Sequence, residues 1–170
     1  APIALWIEDF SEVKKYVENE LLKNNLDVKS FIVGNHEVIK KLSSLVKIKE
    51  VNTTAVKLYK AKDKSHLLNN VSSIFTEKSF EGFSKLVIDI LTGNKEASII
   101  TVNKTLEGKE FDVLLKFSVE AGDNKLDNVI VSDENVTDRI NSSKKLDTTK
   151  NLFSNTLSSI KDGLVILDNN

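Results

Sequence analysis

The sequence has 170 residues with 24 basic and 25 acidic side chains, which gives a formal net charge of −1. This balance argues against a nucleic-acid-binding surface, which usually carries a basic excess. The absence of cysteine excludes disulfides, thiolate metal sites and thiol nucleophiles, and two histidines, His36 and His66, are too few for a multi-histidine site. No apolar run approaches the roughly 20 residues of a membrane span, so we predict no direct membrane contact.

The first part of the chain predicts a strand followed by helices. Ile3–Ile7 is a short apolar run typical of a buried strand, and Asp9 precedes Glu12 at the spacing of a capping box that opens a helix. Asn35 can cap a further amphipathic helix. We therefore expect a helical insert at about residues 9–45, directly after the first strand.

The next segment predicts a second strand and short helices. Val46–Val51 is strand-like, and strict alternation places Ile48 and Val51 on opposite faces. Asn52 ends this strand and can cap a short helix. Ser65 can cap another.

A longer helix and three strands follow. The apolar stripe of the helix ends at Gly93, in the manner of a C-terminal glycine. Ala97–Leu106 and Phe111–Val119 predict two strands joined by a hairpin, and about Asp127–Asn135 predicts a third. Helices grouped between strands, with meander strands at the end, predict an α+β domain with one antiparallel sheet.

The C-terminal part is polar and helix-permissive up to Lys161. Four apolar residues there form a thin, coiled-coil-like seam: Leu146, Phe153, Leu157 and Ile160. The same pattern also fits one amphipathic helix packed on its own domain. Gly163 predicts a break, and Leu164–Leu167 a strand.

Several segments, taken in order, resemble the PAS sensor family. They are Leu5–Ser11, Glu50–Ala61, Lys64–Leu68, Thr105–Lys109 and Val129–Arg139. The start of the chain is similar to a branch of bacterial and archaeal sensory histidine kinases that carries a helical insert after the first strand. The resemblance covers roughly residues 3–145, and residues 153–170 resemble the opening of a second PAS domain.

This resemblance implies a five-stranded antiparallel sheet with short helices on one face and a C-terminal exit helix. It divides the chain into a PAS sensor domain at 1–137, a signalling helix at 138–161 and the truncated start of a following PAS domain at 162–170. It implies a non-catalytic, cytoplasmic piece of a larger protein, a sensor histidine kinase of a two-component system. A homodimer through the exit helix and downstream PAS or kinase domains in the same chain are the expected partners.

The resemblance also implies that a small organic ligand can lie between the sheet and the long helix. Six inward-facing residues are the candidate pocket lining: Phe83, Val87, Ile90, Val113, Leu115 and Phe117. These side chains could equally fill the core, and the sequence leaves both alternatives open. The missing cysteine excludes a flavin–cysteine adduct, and the polar contexts of both histidines argue against haem.

The exit motif of the family corresponds here to Asn135, Thr137, Asp138 and Arg139, which we assign to signal transfer. Asn135 stands where the family usually has Asp, so it can donate a hydrogen bond but cannot form a salt bridge. Two alternatives remain. One is a ligand-free dimerisation scaffold, and the other is a receiver-type phosphoacceptor, which the spacing between Asp9 and Asp89 argues against.

Overall fold

The protein's computed structural model describes the backbone of residues 2–168 and the side chains of residues 2–162. The chain divides into two units, residues 1–135 and 136–170, which we describe separately. The elements of the first unit are β1 Ile3–Asp9, α1 Ser11–Asn24, α2 Val28–Ile32, α3 His36–Leu45, β2 Lys47–Val51, α4 Thr53–Leu58, α5 Lys64–Asn69, a 3₁₀ helix Val71–Ile74, α6 Glu77–Leu91, β3 Glu96–Lys104, β4 Glu110–Val119 and β5 Val129–Asn135.

The five strands form one antiparallel sheet in the order β2-β1-β5-β4-β3. The predicted α+β class and five-stranded antiparallel sheet are therefore confirmed. The last strand of the unit, β5, lies at the centre, between β1 and β4. Helices α1, α2 and α3 lie in the chain between β1 and β2, where the helical insert was expected.

The pairing of β1 with β2 contains a β-bulge. Ile7 pairs with Glu50, but Glu8 pairs with Ile48, so Lys49 is an extra residue on β2. The extra residue shifts the alternation of the strand by one position, so Ile48 and Val51, which are three residues apart, come to share a face. Ile48 and Val51 accordingly pack in the same apolar cluster, and the prediction that they face opposite sides was wrong.

Two helix starts agree with the predicted caps. The side chain of Asn35 accepts a hydrogen bond from the Val38 N–H at 3.2 Å, and that of Asn52 accepts one from the Ala55 N–H at 3.0 Å. These caps are local, since a side-chain oxygen needs only to reach the N–H groups two or three residues on. The sequence alone was therefore enough to predict these two caps.

Two other predicted caps were wrong. Asp9 accepts from the Ser11 N–H at 2.8 Å, but α1 begins at Ser11 and has no side-chain cap, so no capping box forms with Glu12. The cap of α5 is Asp63, which accepts from the His66 N–H at 2.7 Å, while Ser65 lies inside the helix. Asp63 has the extended backbone that a cap requires.

Two apolar clusters stabilise the first unit. The first joins the insert helices and α6 to the sheet, and its fully buried members include Val13, Ile32, Leu42 and Val87. The second joins α4, α5 and the 3₁₀ helix to the sheet and includes Trp6, Val51, Tyr59, Leu67 and Val113. Leu115 and Val131 contact both clusters, so the sheet is the common wall.

The second unit contains one helix, α7, at Thr137–Asp168. We call the four apolar residues of the predicted seam, which lie on this helix, the α7 seam. Its backbone stays helical past Gly163, so the predicted break and the strand at Leu164–Leu167 were wrong. Glycine in a helix costs only about 1 kcal/mol, and a short apolar run does not by itself distinguish strand from helix. The side chains of residues 163–170 lie outside the described residues, and the following PAS domain stays a prediction. Within the described part, no helix combines the length and apolarity that crossing a membrane requires.

Candidate ligand site

A cavity of about 120 Å³ lies between α6 and the inner face of the sheet. Its walls are mainly apolar and strongly aromatic. The aromatic residues that line it are Trp6, Phe10, Phe75, Phe80, Phe83 and Phe117. This volume is far above the roughly 15 Å³ that one water molecule needs, and it approaches the ~150 Å³ of an apolar cavity that holds benzene. The space therefore suits a molecule of about six non-hydrogen atoms.

Four of the six predicted lining residues border this cavity: Phe83, Ile90, Leu115 and Phe117. Val87 and Val113 do not, although both are fully buried. Val87 packs in the first cluster with residues of the insert helices, and Val113 packs in the second cluster with Trp6 and Tyr59. The apolar stripes of α6 and β4 are thus longer than the cavity, and their remaining members fill the core. Ligand binding at these residues stays a prediction.

Sequence reasoning missed the polar side of the cavity. Glu8, Ser79, Asn103 and Asp133 also line it. A signal was present for the two acids, because Glu8 follows the inward-facing Trp6 by two residues, and Asp133 follows Val131 by two. Residues two apart on a strand share a face, so both acids had to point inward.

Asp133 is buried and accepts two hydrogen bonds at Oδ2. The indole N–H of Trp6 donates at 2.9 Å and the hydroxyl of Tyr59 donates at 2.5 Å. The other oxygen, Oδ1, accepts no hydrogen bond from the described residues. Because no fully buried side-chain oxygen or nitrogen among them lacks a partner, Oδ1 keeps some surface that water can reach.

The hydrogen bonds continue from Tyr59 to the edge of the sheet. Asn103 Nδ2 donates to the Tyr59 hydroxyl at 2.8 Å, and the Ser79 hydroxyl lies 2.7 Å from Asn103 Oδ1. This network connects α4, α6 and three strands of the sheet. The hydrogen bonds from Trp6 and Tyr59 hold the Asp133 carboxyl in place at the cavity wall.

Glu8 differs from Asp133, because its carboxyl makes no hydrogen bond to the described residues. Burial, with the negative charge of Asp133 as a second cause, raises the pKa of Glu8 to about 8. Burial also raises the pKa of Asp133 to about 6, although the hydrogen bonds from Tyr59 and Trp6 act in the opposite direction. The site thus holds two carboxyl groups whose charged forms are poorly compensated by the protein.

The predicted signal-transfer residues follow the cavity in the chain. Asn135 ends β5, where it pairs with Val113 of β4. Thr137, Asp138 and Arg139 belong to the first turn of α7, and the acidic Asp138 suits a helix N-terminus. Their role in signal transfer stays a prediction.

The two histidines lie away from the cavity lining. His36 is the first residue of α3, and His66 in α5 accepts a hydrogen bond at Nδ1 from the Lys62 N–H at 3.1 Å. Among the described residues, no group of three or more His, Cys, Asp or Glu side chains could hold a metal ion.

Comparison with solved structures identifies the fold. The LOV domain of a blue-light-activated histidine kinase from Erythrobacter litoralis is 15% identical, with a TM-score of 0.52 over 81% of this chain and 98% of that one. A PAS domain from Colwellia psychrerythraea is 10% identical, with a TM-score of 0.50 over 80% and 87%. No protein-family profile and no curated protein matches the sequence. The chain has the PAS fold, as the sequence resemblance implied.

A third neighbour, a light-oxygen-voltage domain studied with a flavin analogue, is 12% identical with a TM-score of 0.50 over 87% of each chain. The residues of the present cavity do not fit a flavin. Pockets for drug-sized molecules measure about 300–1,000 Å³, well above the 120 Å³ found here. The sequence also lacks the cysteine that a flavin adduct requires.

Proposed function

We propose that this chain is the sensory module of a larger signal-transduction protein and that it binds a small molecule in the cavity between α6 and the sheet. One observation carries the proposal: the cavity is bordered by the carboxyl groups of Glu8 and Asp133 as well as by aromatic rings. A core that only stabilises a fold is closely packed and seldom keeps carboxyl groups beside open space. A ligand that binds these groups supplies a reason for both features.

The route from the cavity to the rest of the protein follows β5. Asp133 lies on this strand two residues before Asn135, and α7 begins at Thr137. A ligand that binds one packing of β5 better than another shifts the balance between them by its difference in affinity. We propose that Asn135, Thr137, Asp138 and Arg139 transmit this shift to α7. A downstream PAS or kinase domain, in a cytoplasmic two-component sensor, would receive it.

Filling the cavity tests the ligand-binding part of this proposal. Leu115→Phe adds volume at a residue that lines the cavity. Leu114→Phe is the matched control, because the neighbouring residue on β4 points to the opposite face. We expect native mass spectrometry, compared with the denatured mass, to show a bound small molecule on the wild type and on Leu114→Phe but not on Leu115→Phe. Identical native and denatured masses for all three proteins would contradict the proposal.

A ligand-free dimerisation scaffold is the second candidate function. The observation that favours it is the exposure of the α7 seam, whose four residues keep 43–66% of their surface accessible. Exposed apolar residues at heptad spacing are typical of a helix that pairs with a second copy. The two functions are compatible, since a paired helix can also carry a signal.

A further inference from the structure

We propose that the cavity recognises a small organic cation, an alkylammonium group whose counterion is the Glu8 carboxylate and whose hydrocarbon part contacts the aromatic walls. This inference rests on the proposed function, because it names the chemical class of the ligand. It is carried by the charges that line the cavity, by the hydrogen bonding of Glu8 and by the shape and size of the space.

The charged groups around the cavity have one sign. Glu8 and Asp133 line it, and no Lys, Arg or His of the described residues does. The described salt bridges are all on α1, away from both acids. Once these groups are ionised, an anionic ligand is repelled and a neutral ligand leaves the carboxylates uncompensated. A cation compensates them.

Glu8 is the stronger candidate for the counterion. Asp133 already accepts hydrogen bonds from Trp6 and Tyr59, whereas the carboxyl of Glu8 accepts none from the described residues. Glu8 stands opposite Val129 on β5 and Asp133 stands opposite Ala4 on β1, so the two acids enter the cavity at different positions along the strands. We expect the ammonium group to bind Glu8, with Asp133 adding attraction from a greater distance.

The walls also favour a cation. Trp6, Phe10 and Phe83 are among the six aromatic residues that line the cavity. The face of an aromatic ring attracts a positive charge, and the attraction increases when water is excluded. A metal ion is disfavoured, because the described residues offer no group of three or more ligands. The volume of 120 Å³ suits a ligand of about six non-hydrogen atoms.

Three probes of nearly equal size and different charge test the inference on the full chain: n-butylammonium, 1-butanol and butyrate. Binding is followed by isothermal titration calorimetry and by amide chemical shifts. We expect n-butylammonium to bind at least about tenfold more tightly than 1-butanol, and butyrate to bind most weakly. The affinity for n-butylammonium should increase as the pH is raised towards 8, since Glu8 must lose its proton to act as the counterion.

The decisive variant is Glu8→Gln, which keeps the size of the side chain and removes its charge without breaking a hydrogen bond within the protein. We expect it to reduce the affinity for n-butylammonium about tenfold and to flatten the pH dependence above about pH 6, where Glu8 titrates in the wild type. Glu50→Gln, at an exposed position of β2, is the matched control and should bind as the wild type does. Circular dichroism checks that both variants are folded.

Three results would overturn the inference, and the first and the third would leave the proposed ligand binding intact. If 1-butanol binds as tightly as n-butylammonium, the cavity binds ligands but does not recognise a cation. If none of the three probes shifts the amide signals of residues around the cavity, cation recognition fails together with ligand binding at this site. An undiminished affinity in Glu8→Gln would remove Glu8 as the counterion.

Discussion

Single side chains of the buried network determine how the cavity wall is held. The hydroxyl of Tyr59 both donates to Asp133 and accepts from Asn103, and the Tyr59 side chain is fully buried. A buried hydrogen bond adds only a modest net free energy to folding. Removing one of its two groups costs more, because the remaining group stays buried without a hydrogen bond to protein or water. The network is therefore the most sensitive polar feature of the fold.

We expect Tyr59→Phe to lower the free energy of unfolding by about 1–3 kcal/mol, because it removes one buried hydrogen bond from Asn103 and one from Asp133. Urea unfolding followed by circular dichroism measures this change. Tyr16→Phe removes a hydroxyl that makes no hydrogen bond to the described residues and should change the stability by less than about 0.5 kcal/mol. Equal effects of the two substitutions would show that the network does not stabilise the fold.

The two buried acids also predict how stability depends on pH. The pKa of Glu8 is about 8 in the folded protein against 4.5 ordinarily, and that of Asp133 is about 6 against 3.8. Between these values the folded protein binds more protons than the unfolded chain, so the free energy of unfolding decreases as the pH rises. Glu8 and Asp133 are the titratable side chains among the described residues that line the cavity. Burial raises the pKa of the neighbouring Tyr59 hydroxyl above its ordinary value, so Tyr59 stays protonated in this pH range.

We expect the melting temperature of the wild type to fall by roughly 5 °C between about pH 5 and about pH 8. Glu8→Gln should flatten the part of this dependence above about pH 6, because the remaining acid has already lost its proton there. Thermal melts at a series of pH values measure the slope, with Glu50→Gln as the control that keeps it. A slope unchanged in Glu8→Gln would contradict the assignment of the raised pKa.

At the scale of elements, the close approach of α6 to β3 depends on Gly82. A Cβ atom at this position would lie 3.1 Å from Cβ of Thr101, closer than ordinary packing allows. Thr101 has little freedom to move, since its hydroxyl donates to the Lys78 carbonyl at 2.7 Å. The distance between α6 and the sheet, and with it the height of the cavity, is therefore set partly by the absence of a side chain.

We expect Gly82→Val to destabilise the protein by about 1–3 kcal/mol through overpacking against β3. Lys85→Val introduces the same side chain at an exposed position of the same helix, where it overpacks nothing, and should cost only a few tenths of a kcal/mol. Denaturant midpoints of the two variants test this expectation. A loss of stability in Lys85→Val as large as that in Gly82→Val would refute the steric explanation.

At the scale of the whole molecule, the α7 seam predicts self-association. Phe153→Asp places a charge in the middle of the seam and should convert a dimer to a monomer, because a dimer interface does not bury an unpaired carboxylate without a large cost. Leu152→Asp is the control, since Leu152 is equally exposed but lies beside the seam. Light scattering coupled to size-exclusion chromatography measures the masses. The same mass for wild type and Phe153→Asp would exclude the seam as the dimer contact.

The sequence by itself determined the features that depend on neighbouring residues. The alternation of Phe111, Val113 and Phe117 identified a strand with one buried face, and Asn52 identified the start of a helix, because both signals act over a few residues. The order of such elements was enough to predict the antiparallel sheet and the family resemblance. Of the expected cavity-lining residues that border the cavity, Leu115 and Phe117 followed from the same alternation, and Phe83 and Ile90 followed from the apolar stripe of α6.

Only the tertiary structure decided which distant residues meet. The bulge at Lys49, the hydrogen bond from Tyr59 to Asp133 and the inclusion of Glu8 in the cavity all depend on the pairing of strands that are far apart in the chain. Periodicity assigns a side chain to a face, but it does not say what lies opposite or whether the space between is filled. The cavity and its charge are therefore properties of the packing between elements, and no single segment of the sequence encodes them.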